Sequence, residues 1–114
     1  MDNYHTDDWI LSLFKDWFDP CPYNEDPQFT GLEIEWGDRT FVNPPYSNPL
    51  PWVKKAIVEN KKGNMIVMLL KMDTSTSWFK ELQQAGAHFL WINGRLKHKT
   101  NIAAPFPSML CILE

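Results

Sequence analysis

The sequence predicts an α/β fold, in which one mostly parallel β-sheet carries helices on both faces and ends in an antiparallel hairpin. Helical and strand-like patterns alternate along the 114 residues, which is the element order of such sheets. Residues 65–70 are apolar at every position, a pattern typical of a strand buried on both faces of a parallel sheet. A second β-prone run, residues 40–43, ends at two consecutive prolines. The length suits one compact domain over residues 1–114, because a chain of this size can bury a modest core.

Composition and charge narrow the class of protein. The chain is 44% hydrophobic and 22% charged, with a net charge of −3 and a pI near 5.5. This balance argues against a protein that coats nucleic acid through charge alone, while a local basic patch stays compatible with DNA binding. Two distant cysteines make neither a disulfide framework nor a zinc motif, so no metal site is predicted and a reducing, cytoplasmic setting is expected. Without a charged leader or an apolar run of roughly 20 residues, no membrane partner is expected.

The first element is a predicted helix over residues 6–17. Thr6 is a suitable N-cap, and the acidic residues after it favour the positive end of a helix. Apolar residues then recur at the spacing of one helical face, which predicts burial of Ile10, Leu13, Phe14 and Trp17.

A short strand-like stretch follows and leaves Asp19 at its exit, because Pro20 and Pro22 cannot continue a ladder. The Asp19 carboxylate could accept hydrogen bonds from an amine or hydroxyl of a ligand. Equally, Asp19 could cap a turn that contains Pro20. The residues alone leave both interpretations open.

Residues 32–36 alternate apolar and acidic positions, which predicts a short half-buried strand or turn. Glu33 and Glu35 would then point to solvent, so neither is predicted to be catalytic.

The corner at residues 43–46 is the most distinctive feature of the chain. Neither Pro44 nor Pro45 has an N–H to give a ladder, so the strand must end at Asn43 and present that side chain at its tip. Backbone and side-chain oxygens there can accept both hydrogens of a planar amine, while Tyr46 offers a flat ring to stack on the group that carries it. The alternative is a simple Pro-Pro turn capped by Asn43.

The remaining elements follow from helix stops and apolar runs. A helix is predicted over residues 51–62, since Gly63 is a natural stop, and a shorter helix is expected to end at Gly86. Residues 65–70 should form the central strand, and residues 88–92 and 108–113 read as two further strands.

Polar residues follow several of these strands. Ligands of open α/β sheets bind at the carboxyl ends of the strands. Asp19, Asn43 and the segment after Leu70 should therefore lie together at one edge of the sheet. The densest basic run contains Arg95, Lys97 and Lys99, and its ordinary interpretation is a solvated loop.

With these residues in place, the chain resembles the small N6-adenine DNA methyltransferases of phages and other prokaryotic viruses, the phage Dam-like family. The similarity is collinear over most of the chain. It rests on Asp19-Pro20-Cys21, Trp36, Asn43-Pro44-Pro45-Tyr46-Ser47, Trp52-Val53-Lys54-Lys55-Ala56, Leu69-Leu70, Thr74-Ser75-Thr76, Trp78-Phe79, Gly94-Arg95-Leu96-Lys97 and Ala104-Pro105-Phe106-Pro107-Ser108.

The resemblance implies a reduced Rossmann-like methyltransferase sheet and transfer of a methyl group from S-adenosylmethionine to the N6 amine of adenine in DNA. It implies that Asn43 and the Pro44 carbonyl, within the catalytic loop that includes Pro45, bind the amine of a flipped adenine, on which Tyr46 stacks. The resemblance implies cofactor binding by Thr6, Asp19, Pro20 and Cys21. We also expect Arg95, Lys97 and Lys99 to contact DNA phosphates, in the cytoplasm of a prokaryotic host.

Two departures from larger methyltransferases keep alternatives open. The five glycines lie far apart, so no glycine-rich cofactor loop exists, and no separate target-recognition segment is evident. One alternative is a non-catalytic DNA- or partner-binding viral protein on the same fold. Another is methylation of a glutamine or an RNA base by the same corner. A homodimer is also expected, because a small sheet leaves an edge to cover and Trp36 or Trp91 could lie there.

Overall fold

The computed structural model describes residues 8–21, 31–96 and 106–114. The predicted helix at residues 51–62 and the strands at 65–70, 88–92 and 108–113 are confirmed to within one residue at each end. In chain order the elements are α1 (Asp8–Leu13), a 3-10 helix (Gly31–Glu33), β1 (Arg39–Val42), α2 (Leu50–Lys61), β2 (Met65–Lys71), α3 (Ser77–Gln84), β3 (His88–Trp91) and β4 (Ser108–Leu113).

The sheet has the strand order β1-β2-β4-β3. β1 pairs with β2 in parallel, whereas β4 is antiparallel to both of its neighbours. The expected antiparallel pairing of the last two strands is confirmed. The prediction of a mostly parallel sheet is wrong for the described strands, because β4 is inserted between β2 and β3. The nearly fully buried β4 takes the interior position and the more exposed β3 takes the edge, as burial of apolar area favours.

Phe18 extends the sheet beyond β1 through a parallel bridge to Thr40. Its N–H donates to the Arg39 carbonyl and its carbonyl accepts from the Phe41 N–H, both at 2.9 Å. Phe18, β1, β2 and β3 therefore all run in one direction. Their carboxyl ends lie along the same side of the sheet, which we call the rim. The rim consists of Asp19, Asn43, Met72, Ile92 and, from the amino end of β4, Ser108.

Side chains alternate between the two faces of the sheet, and helices cover both. On one face α1 contributes Ile10 to a cluster with Phe41 and Val67, and the ring of Phe14 stacks on Phe41 at 4.5 Å. The opposite face packs against α2 and α3, through Val53, Ala56, Phe79 and Leu82. Helices on both faces are thus confirmed, and β2 lies in the interior as predicted.

The first helix is shorter than the periodicity predicted. It ends at Leu13, so the chain leaves the helical path before Phe14 and Trp17, which pack against the core from a turn. Leu13 itself is exposed, contrary to the prediction, because the helix ends there and the predicted apolar face of the helix ends with it. Thr6 lies outside the described residues.

Residues 32–36 contain a 3-10 turn rather than a strand. Glu33 and Glu35 are exposed, as expected. Trp36 is buried, and its indole N–H donates to the Gly31 carbonyl at 2.9 Å. Trp36 therefore cannot serve as the exposed interface residue suggested by the sequence.

Glu59 is a fully buried carboxylate near the C-terminal end of α2. One of its oxygens accepts hydrogen bonds from the Trp36 amide and the Asn64 side chain, each at 3.1 Å. The other oxygen lies 2.9 Å from Lys62 Nζ and 3.1 Å from Lys55 Nζ. Burial alone would raise the pKa of Glu59, but the hydrogen bonds from Lys62, Trp36 and Lys55 outweigh it and lower the pKa to about 2.

Local signals at the helix ends match the sequence. Thr76 caps α3, since its hydroxyl accepts from the Phe79 N–H at 3.2 Å. Gly63 follows α2 with a φ of 105°, a conformation that favours glycine. None of the helices within residues 8–21, 31–96 and 106–114 has the length and apolarity needed to cross a bilayer.

Candidate active site

The corner predicted from the sequence stands at the tip of β1. β1 ends at Val42, Asn43 and the two prolines continue without a ladder, and a turn follows at Tyr46. Pro44 is buried, while Asn43, Pro45 and Tyr46 are half-buried. The Asn43 oxygen Oδ1 is itself buried, so this acceptor is held within the protein at the rim.

The two proline carbonyls have different environments. The Pro45 carbonyl accepts a hydrogen bond from the Asn48 N–H at 3.2 Å and closes the turn. No backbone N–H of the described residues donates to the Pro44 carbonyl. Of the two carbonyls, that of Pro44 is therefore the one with acceptor capacity left by the described residues.

Tyr46 packs against Phe106, from the segment that leads into β4. Their ring centroids lie 4.7 Å apart with the rings nearly perpendicular, at 78°. This edge-to-face contact fixes the orientation of the tyrosine ring at the rim. The loop from β1 and the approach to β4 thus form one continuous surface.

The Asp19 turn lies beside this corner. Because Phe18 bridges Thr40, Asp19 and Asn43 follow adjacent strand-like segments at the same rim. The Asp19 oxygen Oδ1 accepts from the Cys21 N–H at 2.9 Å, so Asp19 does cap a turn around Pro20. No described residue donates a hydrogen bond to its second oxygen, Oδ2. The two interpretations of Asp19 are therefore compatible.

Gly31 holds the Asp19 turn in place. A Cβ at this position would lie 1.9 Å from the Pro20 carbonyl oxygen, well inside contact distance, so only glycine fits. The Gly31 carbonyl is in turn bound by the Trp36 indole. The position of Asp19 therefore depends on residues that follow it by more than ten positions.

The surroundings of this turn raise the pKa values of two of its side chains, Asp19 and Cys21. Desolvation raises the pKa of Asp19, and the hydrogen bond from Cys21 opposes that rise. Burial, with a smaller contribution from the Asp19 charge, raises the pKa of the Cys21 thiol to about 11. Cys21 therefore stays protonated at neutral pH and is a poor nucleophile.

Other polar residues complete the rim. Ser108 is fully buried, and its hydroxyl has no hydrogen-bond partner in the described part of the chain. It pairs with Lys71 at the end of β2, and the Lys71 ammonium lies 3.5 Å from the Asp73 carboxylate. Arg95 is exposed on the turn after β3.

Some predicted residues lie outside the described residues. These are Thr6 of the implied cofactor site, and Lys97 and Lys99 of the basic run. No cluster of His, Cys, Asp or Glu suited to a metal ion occurs where the structure describes the chain.

The sequence alone assigned no role to three residues of the site: Gly31, Phe106 and Ser108. Gly31 could not be found, because its partner Pro20 is distant along the chain. Phe106 and Ser108 carried a usable signal, since they directly precede an apolar strand that turned out to run antiparallel to β2. That direction brings the start of β4 to the rim.

Comparisons with known proteins identify a family and two phage relatives that this chain matches. The model of the family described as DNA N-6-adenine-methyltransferase (Dam) matches residues 6–105. A DNA N-6-adenine-methyltransferase of Escherichia phage T1 is 48% identical over 67 residues, which cover 57% of this chain and 28% of that protein. One of Haemophilus phage HP1 (strain HP1c1) is 38% identical over 82 residues, covering 70% of this chain and 43% of that protein.

The matched region thus spans less than half the length of either phage relative. No solved structure matches the chain. The family match nevertheless covers most of the 114 residues, including the Asp19 turn and the corner at Asn43. The resemblance noted from the sequence is confirmed: the chain belongs to the Dam family of DNA N-6-adenine-methyltransferases.

Proposed function

We propose that this protein transfers a methyl group from S-adenosylmethionine to the N6 amine of adenine in DNA. In this proposal residues 1–114 form one methyltransferase-like domain with a reduced Rossmann-like sheet, acting in the cytoplasm of a prokaryotic host. The observation that carries it is the Asn43-Pro44-Pro45-Tyr46 corner at the tip of β1, adjacent to the Asp19 turn. The family match supports the same chemistry.

The corner suits an aromatic amine that must become nucleophilic. The Asn43 side-chain oxygen and the Pro44 carbonyl would accept the two amine hydrogens. These acceptors become more favourable as positive charge develops on the nitrogen during methyl transfer, so they stabilise the transition state more than the ground state. Stiff proline backbone keeps the carbonyl in place.

Tyr46 would bind the ring that carries the amine. A base inside a duplex must leave the stack to be reached, at a cost of a few kcal/mol. A stacked tyrosine recovers about 1–3 kcal/mol per base. The perpendicular contact with Phe106 keeps the Tyr46 ring oriented for that purpose.

The Asp19 turn fits the cofactor that the family uses. Bound S-adenosylmethionine would supply an electrophilic methyl group. Asp19 Oδ2, which no described residue engages, could accept from its amine or hydroxyl groups, with Thr6, Pro20 and Cys21 completing the contact. The protonated Cys21 thiol would not compete for the methyl group, since a thiolate is the reactive form.

A non-catalytic DNA-binding protein on the same fold is the second candidate. It is favoured by the scattered glycines, which offer no cofactor loop. The homodimer expected from the sequence also stays a proposal, with the edge strand β3 as the part of the sheet that a second copy would cover.

The decisive experiment measures transfer from tritiated S-adenosylmethionine to adenine-containing DNA, alongside calorimetric titration of the cofactor. Asn43→Ala should reduce turnover by on the order of a hundredfold or more, while cofactor affinity stays near that of the parent. Tyr46→Ala should chiefly weaken DNA binding, and Tyr46→Phe should restore it, because the ring is retained.

Asn48→Ala is the matched control, because Asn48 is exposed and its one hydrogen bond to a described residue is made by its backbone N–H. It should behave like the parent. A parent protein that transfers no methyl group and binds no cofactor at millimolar concentration would establish the non-catalytic candidate. Full activity in Asn43→Ala would show that the corner does not contribute to methyl transfer through Asn43.

A further inference from the structure

An open cleft of about 470 Å³ lies at the rim, between the end of β3 and the segment after β2. Its walls include Met72, Trp91, Asn93, Arg95 and Pro107. The volume lies within the range of ligand sites, but the cleft is widely open to solvent. Such a trough suits a segment of a polymer better than a small molecule, which needs to be enclosed.

The indole of Trp91 is the exposed end of an aromatic stack. Phe79 on α3 stacks on Phe89 at 4.8 Å, and Phe89 stacks on Trp91 at 5.9 Å with the rings 5° from parallel. Phe79 is buried, whereas Trp91 keeps 56% of its surface exposed. Phe89 contacts only part of the indole, and the exposed remainder is the surface that a planar ligand could reach.

The polar groups of the cleft suit a nucleotide. Arg95 supplies a permanent positive charge, and no acidic residue is among the described residues that line the cleft. Asn93 adds an amide that can both donate and accept. An aromatic platform beside a cation is the arrangement that binds a base and its phosphate together.

The cleft adjoins the candidate active site through a single dipeptide. Phe106 contacts Tyr46 in the corner, and the next residue, Pro107, lines the cleft. The Pro107 carbonyl accepts from the Met72 N–H at 2.9 Å, which fixes this shared wall to the end of β2. A strand with one base at Tyr46 could therefore continue along this shared wall toward Trp91.

We propose that this cleft is a second nucleotide-binding site, in which a base next to the target adenine stacks on Trp91 and its phosphate contacts Arg95. The inference rests on the proposed function in taking DNA as the partner. Removal of the adenine from the stack exposes one face of the neighbouring base, and the indole covers that face at no further unstacking cost. Trp91 would thereby favour the flipped state.

The test uses single strands without adenine, so that the active site is not required. Fluorescence anisotropy at low salt compares an oligothymidylate with an abasic oligomer of equal length and charge. Trp91→Ala should weaken binding of the oligothymidylate by roughly 5- to 150-fold, with the abasic oligomer unaffected. Trp91→Phe should retain most of the affinity. Arg95→Ala should weaken binding of both oligomers. It should also reduce the slope of log affinity against log salt concentration by the amount expected for about one phosphate contact.

Leu90→Ala is the matched control, because Leu90 is the adjacent residue of β3, is 54% exposed and does not line the cleft. It should bind both oligomers as the parent does. The inference is overturned if the parent does not bind oligothymidylate, or if Trp91→Ala weakens binding of both oligomers equally. It is also overturned if Trp91→Ala alters the sedimentation of the protein and leaves DNA affinity unchanged, since Trp91 would then belong to a homodimer interface.

These outcomes are independent of catalysis. Loss of oligothymidylate binding in Trp91→Ala, together with an inactive parent, would support the second nucleotide site and reject the proposed methyl transfer. An active parent whose affinity is indifferent to Trp91 would give the reverse result.

Discussion

The two ends of the sheet are built in opposite ways. At the amino ends of β1 and β2, which we call the base, the Glu59 carboxylate is buried and both of its oxygens are bonded. At the rim, buried Ser108 has a hydroxyl that no described residue pairs, and the Pro44 carbonyl accepts no backbone hydrogen bond in the described part of the chain. Satisfied polar groups stabilise a fold, whereas unsatisfied ones cost stability and are retained where a ligand can pair them. The base therefore contributes to stability, and the unpaired polar groups of the rim support the proposal that a ligand binds there.

The largest expected effect is at the base. Glu59→Ala should lower the free energy of unfolding by roughly 2–4 kcal/mol, because the Trp36 amide and the Asn64 side chain lose a charged partner. Lys62 is 49% exposed and can turn into water, which keeps the loss below that of a fully buried ion pair. Urea denaturation followed by tryptophan fluorescence measures the change. Glu33→Ala, at an exposed acid nearby, should change it by less than about 0.5 kcal/mol.

The same carboxylate predicts a pH dependence. The pKa of Glu59 is about 2 in the folded protein against an ordinary value of 4.5, so its contribution is complete above about pH 5 and is lost as the pH falls toward 2. The stability difference between the parent and Glu59→Gln should therefore shrink over that range. A constant difference between pH 6 and pH 3 would show that the charge of Glu59 is not what stabilises the base.

A smaller effect is expected where the fold supports the rim. Gly31→Ala should cost about 1–3 kcal/mol, because its Cβ would overlap the Pro20 carbonyl and displace the Asp19 turn. Gly86→Ala meets no neighbour within 4 Å and suffers backbone strain alone. In calorimetric titration, only Gly31→Ala should weaken cofactor binding. Equal cofactor affinity in both variants would show that the Asp19 turn takes no part in cofactor binding.

The smallest effect should occur at Ser108. Ser108→Ala removes an unpaired buried hydroxyl and should leave stability unchanged or raise it by about 1 kcal/mol. Thr40→Val removes a buried hydroxyl that donates to the Gly37 carbonyl at 2.9 Å, and should cost about 1 kcal/mol. Thermal unfolding of both variants makes the comparison. A Ser108→Ala variant as unstable as Thr40→Val would mean that the Ser108 hydroxyl is satisfied within the protein.

Local patterns were enough to predict the corner and most of the elements, but not the early end of α1. The unbroken apolar run of β2, the glycine after α2 and the prolines after Asn43 act over a few residues, so each could be identified in isolation. The insertion of β4 could not, because the choice between an interior and an edge position depends on all strands competing to bury apolar area. The contact of Gly31 with Pro20 and the burial of Glu59 were missed for the same reason, since their partners are distant in sequence.

The position of β4 also determines the order in which the sheet can assemble. β2 and β3 each need β4 as a neighbour, yet β4 is the last of the described strands along the chain. During synthesis on the ribosome, the backbone groups of β2 and β3 that pair with β4 stay without that partner until residues 108–113 emerge. Such unpaired strand edges are sites of intermolecular pairing, and closing them requires contacts between residues far apart along the chain, which slows folding. Aggregation of the nascent protein is therefore most probable in the interval before β4 leaves the exit tunnel.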